Sequence, residues 1–332
     1  MHLVKTTVIG NYPKIPGFGE AKLRKSLHEF DKGAISREQL EMVIREVTLE
    51  SIIEQEIAGI DIITDGQIRW QDEVTYIMGA LSGAELNGLV RFFDTNTYYR
   101  MPLIKNKVGY KGKILTSDYI LAKENSKKEV KAVLTGAYTL AKLSENKFYK
   151  SVEDGLCFDI AGALNQEIRA LADAGAKHIQ INEPYLAYSQ NWADKELVLQ
   201  LFAKVFEGIN ARKWLVTYLG DLESIEVFAQ AADVVGIDFV EGKRNLELLR
   251  NANIPAGKGL CLGIVNARNT NTEKFEDVSS IIQMGIEKVG SDNIYLSPNT
   301  GLDYLPREKA LDKMKTLVGI CRQSQQLVSQ SQ

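Results

Sequence analysis

Lys213 to Gly220 reads KWLVTYLG, a short apolar strand with a helix start directly behind it at Asp221. The same grammar repeats on both sides: an apolar run of strand length, a turn rich in polar residues, then a helical segment. Upstream lie VKTTVIGN from Val4, GIDIITDGQIRW from Gly59, KAVLTGAYT from Lys131 and HIQINEP from His178. Downstream lie VVGIDFVEG from Val234, KGLCLGIVNAR from Lys258 and NIYLSPNTG from Asn293. Eight such strands, with helical crossovers and a closing helix, predict a (β/α)8 TIM barrel. A doubly wound open sheet would need a phosphate-binding glycine loop, and neither GxGxxG nor GxxxxGK[ST] occurs.

Composition bounds the function classes. The 332 residues are 45% hydrophobic and 25% charged, the balance of an ordinary globular protein. A formal net charge of -3, with both signs interspersed, leaves no basic stripe for nucleic acid. No run reaches membrane-spanning length and no signal-peptide pattern opens the chain, so the expected setting is cytoplasmic. Cys157, Cys261 and Cys321 are odd in number and far apart, which argues against a disulfide framework.

The expected division is one barrel domain over residues 1–332, with residues 86–130 inserted after strand two as a β-hairpin and short helix. The loop GNYPKIPGFG (Gly10–Gly19) cannot be helical and is a candidate substrate wall. Ser36 should cap a long helix that stops at Gly59. Asp221 should cap the helix after strand five. The tail QSQQLVSQSQ reads as frayed.

In a barrel, polar residues at the C-terminal strand ends converge on one mouth. That gathers Gln67, Asn182, Tyr218, Asp238, Asn266, Arg268 and Thr300, with Arg69 and Trp70 crowding the turn after strand two. Glu183 follows strand four, where Pro184 delays the next helix and leaves the acid free to face a pocket. Asp238 sits in a strand, where an acid needs a partner. His2, His28 and His178 all lie away from the strand C-termini, so neither a Ser-His-Asp set nor a zinc site of nitrogen and sulfur ligands has its histidine.

Taken in order, TTVIGNYP, DIITDGQIRW, FFDTNTYYRMP, KAVLTGAYT, QINEP, GIDFVEG, LGIVNARNT and SPNTGLDYLP resemble the catalytic barrel of cobalamin-independent methionine synthase. The likeness is closest to the short, single-barrel members and runs from Thr6 to about Met314. It implies the methionine-synthase/uroporphyrinogen-decarboxylase-like barrel. It also implies methyl transfer to a zinc-bound homocysteine thiolate, from methyltetrahydrofolate or another donor such as a corrinoid protein. The family's His-x-Cys falls on Tyr218 and Gly220, its zinc glutamate on Asp238, and its second cysteine on Thr300. The two carboxylates that hold the homocysteine ammonium fall on Gln67 and Asn182. The Ile-Gly-Ser turn that meets the substrate carboxylate falls on Ile9, Gly10 and Asn11.

The reading drawn from these departures is a zinc-free relative with no cofactor, acting on an uncharged or anionic small molecule other than homocysteine. Asp238, Glu183 and Tyr218 are then the candidate catalytic groups, and Arg268 or Lys258 meets an anion. Methionine synthase proper, with zinc, is one alternative. A non-catalytic binder that uses the same mouth is the other.

Overall fold

The structure is a computed structural model, and it describes residues 4–15, 20–188 and 194–330. Its strands are β1 (Lys5–Thr6), β2 (Ile62–Ile63), β3 (Leu81–Arg91), β4 (Tyr98–Tyr110), β5 (Glu129–Thr135), β6 (Glu145–Asn146), β7 (His178–Asn182), β8 (Arg212–Val216), β9 (Val234–Asp238), β10 (Gly259–Val265) and β11 (Ile294–Pro298). Eight of them form one parallel sheet in the order β1-β11-β10-β9-β8-β7-β5-β2. A parallel bridge from Thr7 to Ile62 joins its two ends and closes the barrel.

Inward-facing residues fill the barrel in layers, because alternate strand residues share a face. The floor is Ile62, Trp214, Val234, Cys261 and Tyr295. Lys131 lies among them, fully buried, its Nζ 4.5 Å from the Trp214 ring and donating to the Val8 carbonyl at 3.0 Å. Burial pushes its pKa down to about 8. His178 belongs to the same floor and accepts the Trp214 indole N–H at 3.1 Å; burial lowers its pKa to about 4, so it is neutral.

One layer higher, Gly236 faces Val216. A Cβ on Gly236 would lie 2.7–3.0 Å from three side-chain atoms of Val216. Val216 is β-branched and fully enclosed, so it cannot swing aside. Gly236→Ala is therefore expected to cost about 1–3 kcal/mol of stability, read from the shift of a urea unfolding midpoint.

The excursion after β2 begins at Leu81 rather than residue 86, and its tight connection is residues 92–97. β3 and β4 pair antiparallel, and β6 adds to β4 in parallel. The start is hidden in the sequence because Leu86, Leu89, Val90 and Tyr98 are exposed, so no alternation marks β3. Tyr99, Ile104 and Val108 of β4 nevertheless join the apolar core shared with the barrel helices.

Three other expectations need correction. Ser224, not Asp221, caps the helix Ile225–Ala231; Asp221 instead accepts the Arg244 N–H at 2.7 Å and ties two mouth loops together. The C-terminal helix runs on to Gln330 because its polar end is anchored: Ser324 is buried and Gln325 donates to the Val4 carbonyl at 2.7 Å. The first two barrel strands are two residues each, shorter than their apolar runs. Within the proposed loop wall, residues 16–19 lie outside the described residues. Ser36 caps Arg37–Ala58 through a full capping box with Gln39, and Gly59 ends that helix at φ 91°.

Candidate functional site

The turn after β2 is held by its own polar residues. Thr64 Oγ1 accepts the Gly66 N–H and donates to the Gly10 carbonyl, fastening this turn to the loop after β1. Gly66 and Gln67 follow in the left-handed region, at φ 71° and 51°. Left-handed backbone is costly for a glutamine, and such strain collects at ligand sites. Gln67 is 1% exposed, and neither its Oε1 nor its Nε2 has a partner among the described residues. It points at Gly10, where a Cβ would lie 2.9 Å from Oε1.

Asn182, at the end of β7, is linked to the end of β1 through Gln180. Its Oδ1 accepts from Gln180 Nε2 at 2.6 Å, and the same Nε2 reaches the Ile9 carbonyl at 2.6 Å. Asn11 sends its Nδ2 to Glu73 Oε1 at 2.8 Å. The other oxygen of Glu73 accepts the Tyr218 hydroxyl at 2.5 Å. Tyr218 is fully buried. Burial pushes the Glu73 pKa up to about 8, against the donated Tyr218 bond, and Asp303 and Asp72 push the same way. Burial also raises Tyr218 well above a normal phenol.

Asp303 Oδ1 is buried without a partner among the described residues, and burial raises that carboxyl while Lys14 lowers it. Lys14 donates to the Trp70 carbonyl, and burial lowers its pKa against the pull of Asp303, Asp72, Asp65 and Glu73. At the ends of β1, β2, β7, β8 and β11, Gln67 meets Gly10, Gln180 links Asn182 to Ile9, Glu73 joins Asn11 to Tyr218, and the charge of Asp303 acts on Glu73 and Lys14. Glu73 and Asp303 are the acids of this group, and the sequence reading gave a role to neither.

Other residues singled out in the sequence are committed elsewhere. Both Glu183 oxygens accept backbone N–H groups, from Tyr138 at 3.0 Å and Thr139 at 2.7 Å, at the start of the helix Ala137–Lys142. Burial still raises Glu183 to about 7. Asp238 accepts from the N–H groups of Leu219, Val240 and Glu241 and from the Asn299 amide. Burial raises it to about 6. It holds three mouth loops in place, including Leu219 at φ 68°. Arg69 Nε donates to both Asp118 oxygens at 2.9 Å and its Nη1 to Glu41 at 2.6 Å, while Trp70 stacks on Tyr76. Arg268 spends Nη1 on Glu241 and Nη2 on the Asp94 carbonyl, so it pins the hairpin tip to the rim. Asn266 accepts the Arg268 N–H, and Thr300 is buried beside Asn299. Lys258 sits at the opposite end of its strand, on the Ala232 carbonyl.

The positions that resemble zinc ligands do not fit zinc. Tyr218 is hydrogen-bonded to Glu73, and a hydroxyl is a weak zinc ligand. Gly220 has no side chain, and a Cβ there would lie 2.5 Å from the Ala187 carbonyl oxygen. Both Asp238 oxygens already accept hydrogen bonds. Among the described residues, no group of three or more His, Cys, Asp or Glu side chains is arranged to hold a metal ion. Among the described residues, too, no helix is long and apolar enough to cross a membrane.

Residues 82–289 match the family described as "Cobalamin-independent synthase, N-terminal domain". A methionine synthase of Sulfurisphaera tokodaii is 31% identical over 317 residues, 95% of this chain and 91% of that protein. One from Saccharolobus solfataricus is 31% identical over 320 residues, 95% and 93% of the two. In fold, the chain is similar to a B12-independent methionine synthase from a Shewanella species in complex with selenomethionine. The TM-score there is 0.80 at 19% identity, over 98% of this chain and 99% of that one. A putative vitamin-B12 independent methionine synthase from Listeria monocytogenes gives a TM-score of 0.71 at 16% identity, over 96% and 98%.

Proposed function

The chain belongs to the cobalamin-independent methionine-synthase-like family, and from that premise we propose that it transfers a methyl group onto the sulfur of homocysteine. The observation that carries this reading is the near-full-length match, at 31%, to methionine synthases of similar length. It corrects the expectation of an uncharged or anionic ligand other than homocysteine. That expectation rested on Gln67 and Asn182 as neutral replacements for two carboxylates. Two carboxyl groups the reading passed over, Glu73 and Asp303, are buried in the mouth beside Lys14.

A substrate ammonium placed beside Asp303 would favour the ionised form of that carboxyl, whose Oδ1 has no partner among the described residues. Gln67 offers an acceptor and a donor, both without a partner among the described residues, to the two ends of an amino acid. The sulfur attacks the methyl carbon of the donor, the donor's bond to that carbon breaks, and the thiol proton departs. No step here is routed through zinc. A methylated folate and a methylated corrinoid are the donor classes to try.

The test is purified protein with homocysteine and, separately, methyltetrahydrofolate or methylcobalamin, with methionine read by mass spectrometry. Methionine that grows with protein concentration from either donor is expected. No methionine above the protein-free background from either donor overturns the reading.

A further inference from the structure

The sulfur of a bound thiol substrate needs a base, because a free thiol at neutral pH is only a few per cent thiolate. The family's solution is a metal, and the donor set of this chain does not fit one. The Tyr218 position, which resembles the first zinc ligand, instead carries a hydroxyl aimed at a buried carboxylate. We propose that Glu73 is the proton acceptor for the substrate thiol, reached through the Tyr218 hydroxyl. This rests on the methyl-transfer reading above for the identity of the thiol.

The relay balances. The S–H bond breaks and its proton joins the Tyr218 oxygen, which donates to Glu73 and accepts no hydrogen bond among the described residues. The Tyr218 proton passes along the 2.5 Å bond to Glu73 Oε2. Tyr218 ends unchanged, Glu73 ends protonated, and the substrate ends as thiolate. A bond this short favours transfer, and Glu73 cannot rotate away. Asn11 holds its other oxygen, and Thr135 Oγ1 donates to its backbone carbonyl at 2.7 Å. Glu73 lies 145 residues from Tyr218 in the chain, so the contact is made by the barrel and not by local sequence.

Proton affinity is suited to the task. A general base works best with a pKa near the operating pH, and burial lifts Glu73 from the usual carboxylate range to about 8. Facing groups set that value: Asp303 and Asp72 raise it, while the Tyr218 and Asn11 hydrogen bonds lower it. Lys14 stands close enough to Glu73 to be raised by it. Asp238 is less suited, since three backbone N–H groups and an amide already stabilise its anion.

The experiment has two readouts on wild type, Glu73→Gln and Tyr218→Phe. The first is ultraviolet difference absorbance of thiolate when homocysteine is added without any methyl donor. The second is the pH profile of methionine formation. Wild type should ionise bound homocysteine, and its kcat should rise with pH through about 8. Both variants should lose the thiolate signal, and kcat should fall by about a hundredfold or more, with homocysteine Kd changed little. Glu73→Asp should restore part of the signal with a displaced pH midpoint, which a merely structural role would not do.

If Glu73→Gln keeps the thiolate signal and wild-type kcat, the proposal is overturned. It is overturned too if wild type binds homocysteine only as the neutral thiol. If wild type ionises the thiol through Glu73 but no donor yields methionine, the relay stands and the methyl-transfer reading falls.

Discussion

Glu167→Ala is expected to cost about 3–5 kcal/mol of folding stability, enough to threaten the native state. Glu167 is fully buried on the helix Cys157–Asp173. It accepts from the Tyr110 hydroxyl, from the backbone N–H of Ile114, Leu115 and Thr116, and from Thr116 Oγ1, at 2.8–3.1 Å. Those donors span the end of β4 and the start of the helix Thr116–Asn125, so one carboxylate fastens the excursion to a barrel helix. Removing it strands three backbone N–H groups where water cannot reach them. Glu167→Gln keeps one acceptor oxygen but turns an NH2 toward donors, so it should lose at least half as much. Urea unfolding of the three proteins measures this. A loss below about 1 kcal/mol for alanine would show that the excursion is held by its apolar contacts alone. If the excursion belongs to the barrel domain, hairpin and barrel probes should report a single shared transition.

The barrel was legible because its signal is local. Each strand is an apolar run with a polar turn behind it, and the parallel order follows from the alternation. The hairpin's start was not legible, because β3 is half-exposed on both faces and no period marks it. At the mouth, sequence position told which residues end strands but not which way they turn. Glu183 looked free because Pro184 delays a helix. The helix it serves is the one before, and the absence of a side chain at Gly136 makes room: a Cβ there would lie 2.1 Å from Glu183 Oε1. Arg268 looked like an anion fork, yet Glu241 on a neighbouring loop takes it first. Glu73 escaped notice because QDEV, ahead of an apolar helix, is an ordinary helix entry. Only closure of the barrel puts it against Tyr218. Its burial, not its type, is what sets it apart.

That burial has a consequence for stability that is independent of catalysis. The folded-state pKa of Glu73 is raised from 4.5 to about 8. The folded protein therefore holds a proton there that the unfolded chain has released at neutral pH. The stabilisation linked to this proton is fully present below about 4.5 and is lost as pH rises through about 8. At ~1.4 kcal/mol per pKa unit, the loss amounts to roughly 4–5 kcal/mol. Glu73→Gln removes the titration and keeps the contacts: its Oε1 accepts the Tyr218 hydroxyl, and a flipped Asn11 amide accepts from its Nε2. Asp303, Asp72, Asp238 and Glu183 are raised as well and remain in both proteins, so the comparison isolates Glu73. Wild type and variant should have similar urea stability at about pH 5, and the variant should be several kcal/mol more stable at about pH 9. Parallel pH dependence in the two proteins would mean that Glu73 stays ionised in the folded state at neutral pH, and a base with an ordinary carboxylate pKa could not hold the thiol proton.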